Sequence, residues 1–138
     1  MTLEKLKTFL KKDSLAYVAT SDNGQPHVRA MTLIFCNNRF WSATLTSRNK
    51  IREIKANDRM EFCVLLETEK GTGSLRATGK AAVIDDLNIK QELASEISFF
   101  NAFWKSPDDP EFCLIELKPE MYLVQNPDDR KFYTVMPG

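Results

Sequence analysis

Short runs of period-two alternation, each closed by turn residues, recur along this chain and leave it few folds to choose from. The clearest runs from Arg59 to Glu67. Met60, Phe62, Val64 and Leu66 fall on one face and Glu61, Cys63, Leu65 and Glu67 on the other, as in a strand with one buried side. Leu15 to Thr20, His27 to Phe35, Arg39 to Leu45, Ser74 to Ile84, Phe112 to Leu117, Met121 to Gln125 and Lys131 to Val135 also read as extended segments. Dense turn chemistry separates them: Ser21-Asp22-Asn23-Gly24-Gln25-Pro26, the tight pair Asn37-Asn38, and Gly71-Thr72-Gly73, with Pro119 as a break. Gly79, inside the fifth strand, points to a bulge or a close backbone approach.

Helical spacing appears in three places. Leu3, Leu6 and Leu10 make a stripe over Thr2 to Lys12; Ile51 and Ile54 do so in a segment ending at Ala56; Ile89, Leu93, Ile97, Phe100 and Trp104 do so over Leu87 to Trp104. Six or seven strands joined mostly by hairpins, with these helices at the periphery, predict a mainly β chain closed as an antiparallel barrel. The 138 residues read as a single domain, 1–138, long enough to bury a core.

Nineteen basic residues balance nineteen acidic ones, which argues against a nucleic-acid module and against attraction to anionic membranes. No apolar run approaches the length of a membrane span, and the charged first thirteen residues lack a signal-peptide core. Cys36, Cys63 and Cys113 are odd in number and far apart, so they read as reduced, packing thiols of a cytoplasmic protein. A single histidine, His27, excludes a two-histidine zinc site, and no metal site is expected. No nucleophile motif surrounds His27, and it reads as a structural residue at a strand start.

The stretch from Phe40 to Glu53 carries the strongest functional signal. A strand with Trp41, Ala43 and Leu45 on one face feeds a helix start where Thr46, Ser47 and Asn49 are natural caps. Arg48, Lys50 and Arg52 nevertheless sit at the positive end of the helix dipole, which typically costs ~0.3–1 kcal/mol per exposed cation. Such a start receives anions, a phosphate in particular; the alternative is an ordinary capped surface helix. Arg29, on the face of Met31, Leu33 and Phe35, also needs a partner. Glu61 or another strand carboxylate is one candidate, snorkelling near the strand end a second, and an anion shared with the helix start the third. The aromatic run Phe99 to Trp104 reads as core and subunit interface rather than as a stacking box.

Gly24-Gln25-Pro26-His27-Val28-Arg29, Ala43-Thr44 six residues before Lys50, Gly79-Lys80-Ala81, and the tail Lys118-Pro119-Glu120 with Asp129-Arg130-Lys131-Phe132 together resemble the pyridoxamine 5′-phosphate oxidase-like family of FMN-binding split barrels. The resemblance covers Leu15 to Phe132. It implies a six-stranded antiparallel split β-barrel, a homodimer with FMN at the subunit interface, and a flavoprotein oxidoreductase acting on a small molecule. It implies that Arg29 and Lys50 bind the FMN phosphate, with Asn49 and Ser47 beside them. Ala30, Met31, Thr32, Ala43 and Thr44 would line the flavin ring, and Ser74, Gln125 and Arg130 would come from the second subunit. Arg48-Asn49-Lys50 stands where many members have Ser-x-Lys, Gln125 replaces a tryptophan of the true oxidase, and the substrate-gripping Arg-x-His element has no counterpart. The resemblance therefore implies a relative of the oxidase rather than a pyridoxamine phosphate oxidase. A non-catalytic FMN carrier, or a barrel binding deazaflavin or haem, are the alternatives.

Overall fold

The structure, a computed structural model, describes residues 1–138. Seven strands are present: β1 (Asp13–Asp22), β2 (Gln25–Cys36), β3 (Arg39–Leu45), β4 (Arg59–Thr68), β5 (Gly71–Ile84), β6 (Phe112–Gln125) and β7 (Phe132–Val135). Helices α1 (Leu3–Lys7), α2 (Asn49–Ala56), α3 (Leu87–Glu96) and α4 (Phe100–Phe103) accompany them. All pairings are antiparallel, in the order β3-β2-β1-β4-β5-β6-β7, and a further β3–β6 pairing closes the first six strands into a ring. This is the expected six-stranded split barrel, with β7 a hairpin extension of β6.

Local chemistry sets the turns. Asn23-Gly24 and Asn37-Asn38 each adopt positive φ at both central positions, the conformation two-residue hairpins need to match strand twist. The turn chemistry read over Ser21–Pro26 narrows to this two-residue turn, with Asp22 paired to Gln25 and Ser21 to Pro26 in the strands. Gly71-Thr72-Gly73 is likewise not the β4–β5 turn but the start of β5, opposite Thr68, Glu67 and Leu66.

Gly79 shows why Pro119 does not break β6. The β5–β6 register shifts between Thr78 and Gly79, placing Gly79 opposite Pro119. A Cβ on Gly79 would lie 2.0 Å from the Lys118 carbonyl oxygen. The proline's missing N–H thus falls at a bulge, and one continuous strand replaces the two segments expected from the sequence.

Alternation places Phe40, Phe62, Val64, Leu75, Ile115 and Val124 inside the ring, with Leu6 of α1 covering one end. The opposite faces of β2, β3 and β6 bury Ile34, Trp41 and Leu114 under Leu93, Ile97, Phe100 and Trp104. This second core explains the strands that read as apolar on both faces.

Two helices are shorter than their stripes. After Lys7, Thr8 donates through Oγ1 to the Lys5 carbonyl, and the chain continues in three-residue turns to Leu10. The expected helix Leu87 to Trp104 is divided at Ile97, whose extended backbone ends α3. The break lets Phe100 and Trp104 both pack on Phe112 at ring centroids 4.9 Å apart, with Trp104 Nε1 donating to the Glu111 carbonyl. No helix is long and apolar enough to cross a membrane.

Candidate functional site

Strands β2 and β3 pair only near their shared hairpin, from Cys36–Arg39 to Ile34–Trp41. Beyond Ile34 they part. β3 stays on β6 along Phe40–Leu45, with Ala43 opposite Leu114 and Thr44 opposite Cys113, while β2 stays on β1. A single side-chain bond, Ser42 Oγ to the Thr32 carbonyl at 2.8 Å, spans the gap. The backbone edges facing the split are left without a strand partner. Buried backbone groups demand partners, so a split lined by them suits a flat ligand with hydrogen-bonding edges.

A cleft of about 460 Å³ opens there, lined by Ala30, Met31, Thr32, Ala43, Thr44 and Leu45. Arg48 and Lys50 form its cationic end, and Phe99, Phe103 and Trp104 its far wall. Two further hollows of about 330 and 440 Å³ lie near the N-terminal segment, and none of the candidate cofactor-binding residues lines either.

The helix start differs from the sequence expectation in its capping. Arg48 is the N-cap of α2, with extended backbone and no capping side-chain hydrogen bond. Thr46 Oγ1 donates instead to the Pro110 carbonyl (2.7 Å) and Ser47 Oγ to Glu111 Oε2 (3.3 Å). The hydroxyls fasten the end of β3 to the loop before β6, which leaves the first N–H groups of α2 without a side-chain acceptor. Asn49 is exposed at this start.

Lys50 is half-buried and belongs to none of the ion pairs. Burial, then the nearby charges of Arg29 and Arg48, hold its ammonium below the usual lysine range. A cation kept against desolvation and like-charge repulsion, with no counter-charge, is electrostatically poised for an anion.

Arg29 is differently placed. Its Nη2 donates to Glu53 Oε2 (3.1 Å) and its Nη1 to Thr20 Oγ1 (2.8 Å) and the Val18 carbonyl (3.2 Å). Glu53, on α2, is 2% exposed and also accepts from His27 Nδ1 at 2.6 Å. The expected partner Glu61 pairs instead with Arg76. Glu61 is on β4, whereas α2 packs against β1 and β5 and its Glu53 side chain reaches Arg29 on the neighbouring β2. His27 thus has a structural bond, and it does not line the cleft.

Ser74, Gln125 and Arg130 gather elsewhere. Ser74 is opposite Gln125 in the β5–β6 ladder, and Gln125 Nε2 donates to the Arg130 carbonyl (3.2 Å). Within one chain they do not join Lys50 or the cleft. Sequence reasoning missed Leu45 and the aromatic wall as lining of the cleft, and Glu53 as the partner of Arg29. Glu53 had a signal: a lone carboxylate beside Ile54 on the buried side of a helix otherwise rich in cations.

Cys36, Cys63 and Cys113 are free thiols, each pushed above the usual thiol range chiefly by burial. That direction favours the thiol over the nucleophilic thiolate.

Known proteins share this fold. General stress protein 26 of Bacillus subtilis (strain 168) is 23% identical over 128 residues, covering 92% of this chain and 90% of that protein. A heme binding protein from Mycobacterium smegmatis superposes with a TM-score of 0.77 at 11% identity, over 96% of this chain and 57% of the other. A FAD-binding protein from Mesorhizobium loti does so with a TM-score of 0.66 at 18% identity, over 86% and 89%. The model of the family described as pyridoxamine 5′-phosphate oxidase matches residues 2–126. With that match running from α1 through the end of β6, this chain belongs to the pyridoxamine 5′-phosphate oxidase-like family.

Proposed function

We propose that the cleft binds FMN and that the protein is an oxidoreductase acting on a small molecule. The observation that carries the reading is Lys50: a half-buried cation without a counter-charge, at the end of a flat split between two unpaired strand edges. Lys50 and Arg29 hold the phosphate, with Asn49 and Ser47 at the helix start beside them. The edges Ala30–Thr32 and Ala43–Thr44 receive the ring. Flavin, when bound, supplies the electron or hydride transfer, while the protein supplies position and electrostatics. The cleft contains no carboxylate, histidine or cysteine that could act as a dedicated acid or base, in keeping with chemistry left to a cofactor. Haem fits less well, because Met31 is the cleft's one side chain of the usual axial types.

The reading includes a homodimer. Leu15, Tyr17, Val28 and Leu65 lie half or more exposed on one outer face of the sheet. Ser74 and Gln125 share that face, because Leu65 is opposite Ser74 and Ser74 opposite Gln125. Thr32 is in the same row, opposite Leu15. A two-fold packing of this face on itself brings Ser74, Gln125 and Arg130 of a second copy toward the cleft. Leu65→Glu is expected to give a monomer by light scattering, with weakened flavin binding; a flavin-loaded monomer would refute the shared site.

The deciding experiment is a visible spectrum of the purified protein before and after titration with FMN. A flavin spectrum saturating near one per chain supports the site. Bleaching by a reduced nicotinamide followed by reoxidation in air supports an enzyme, and absence of bleaching a carrier. A protein that ignores FMN removes this reading, leaving deazaflavin and haem to be titrated next.

A further inference from the structure

A second hollow lies away from the cleft, at the end of the barrel covered by α1. It measures about 440 Å³, a size that suits a small ligand. Leu3, Leu6 and Leu10 of the N-terminal segment wall one side, and Phe35, Phe40 and Leu117 of the strands the other. Tyr122 lines it too. That residue is only 6% exposed, with its ring edge-on to Phe40 at a centroid distance of 6.2 Å. Its hydroxyl nevertheless bonds to no group of the chain, and burial alone pushes it up to about 12. No fully enclosed side-chain polar atom lacks a partner, so this free hydroxyl opens onto the hollow. A nearly buried hydroxyl without a hydrogen bond carries a desolvation cost that a ligand acceptor relieves.

Charge at the rim is one-sided. Lys7, Arg39 and Lys118 line the hollow with a single carboxylate, Glu116. Glu116 lies 3.8 Å from Arg39, and Lys7 has the exposed Glu4 at 3.6 Å. Lys118 belongs to none of the ion pairs. Lysine and arginine only donate, and a hydroxyl held protonated donates readily; what the hollow lacks is an acceptor. None of its lining residues lines the cleft or lies among the exposed apolar side chains of the outer face assigned to the dimer.

We propose that this hollow is a second binding site, for a small amphipathic carboxylate. The apolar chain lies among Leu6, Leu10, Phe40 and Leu117, and the carboxylate accepts from the Tyr122 hydroxyl and faces Lys118. The balance of groups selects this chemistry. A single negative charge matches the one unpaired lysine, a neutral alcohol leaves that lysine unmatched, and an amine meets like charge. The site does not depend on the flavin reading, and a protein that ignores FMN would leave it untouched.

The test uses octanoate, with octanol and octylammonium as chain-matched controls, followed by calorimetry and by the melting temperature of the full chain. Octanoate is expected to bind at one per chain and to raise the melting temperature, with octanol weaker and octylammonium showing no saturation. Tyr122→Phe removes a hydroxyl that the fold does not use. It should keep the melting temperature of the free protein and lower octanoate affinity about tenfold or more. Lys118→Ala should weaken octanoate and leave octanol unchanged, and Lys50→Ala, in the cleft, should leave octanoate binding as it is. A loss of octanoate binding in Lys50→Ala would put the carboxylate in the cleft and overturn the proposal. So would equal octanoate affinity in wild type and Tyr122→Phe, or a Tyr122→Phe protein that melts well below wild type, its hydroxyl then serving the fold. Octanoate that does not bind at all leaves the hollow to water and ends the proposal.

Discussion

Replacing Lys50 by alanine separates ligand binding from folding more cleanly than any other substitution at this site. Lys50 makes no ion pair, and burial together with Arg29 and Arg48 already disfavours its charge in the free protein. Lys50→Ala removes that desolvation and repulsion and breaks no contact the fold uses, so the melting temperature should hold or rise slightly. In the complex, the same change deletes a charge-assisted hydrogen bond to phosphate, worth roughly 1.5–3 kcal/mol. That corresponds to a loss of about ten- to a hundredfold in FMN affinity. The loss should belong to the phosphate alone. Titration by quenching of flavin fluorescence should therefore show FMN affinity falling toward that of riboflavin, with riboflavin binding unchanged. Wild-type affinity for FMN in Lys50→Ala, or an equal loss for both ligands, would refute the assignment of Lys50 to the phosphate.

Arg29→Ala should behave differently: it strands a buried Glu53 with only His27, and a loss of about 2–4 kcal/mol in denaturant unfolding is expected. Stability equal to wild type would show that Glu53 does not depend on Arg29. Gly79→Ala puts a Cβ at 2.0 Å from the Lys118 carbonyl, a backbone atom that cannot swing away. It should cost about 2–4 kcal/mol, seen as a melting temperature lowered by roughly 8–15 °C; an unchanged transition would mean that the bulge relaxes freely. Because the Lys50 ammonium titrates below its ordinary range, its charge is lost at a lower pH than that of an exposed lysine. FMN affinity should accordingly decline as the pH is raised toward 10, and Lys50→Arg, charged throughout, should abolish that decline.

The ring of strands was legible because alternation and turn chemistry agree locally. Arg39–Leu45 is found as read, and the Asn37-Asn38 hairpin has the two positive φ values its residues invite. The misread positions are those where a distant strand overrides the local pattern. Pro119 looks like a break until Gly79, forty residues earlier in the chain, is seen opposite it in the β5–β6 ladder. The stripe from Ile89 to Trp104 is periodic enough for one helix, but Phe112 on β6 supplies a surface that Phe100 and Trp104 reach only if the helix breaks. Thr46 and Ser47 have the chemistry of helix caps, yet the carbonyl of Pro110 and the carboxylate of Glu111 take their hydroxyls first. In each case the competing partner is remote in sequence, and a window of neighbouring residues holds no trace of it.

The same limit divides the two basic residues that the sequence set side by side. Arg29 and Lys50 both looked like cations in need of an anion, and they differ only in what α2 brings to them. The helix carries Glu53 three residues after Lys50, on its buried side, and so delivers a carboxylate to Arg29 while leaving Lys50 facing the split without one. Arg29 therefore has a partner before any ligand arrives, and Lys50 does not. An anion entering the cleft gains most from the unpaired cation and less from the paired one. The cost of removal runs in the opposite order for stability. That inversion follows from the Glu53 contacts alone, so measuring folding and FMN affinity on the two alanine variants tests it without any assumption about the reaction.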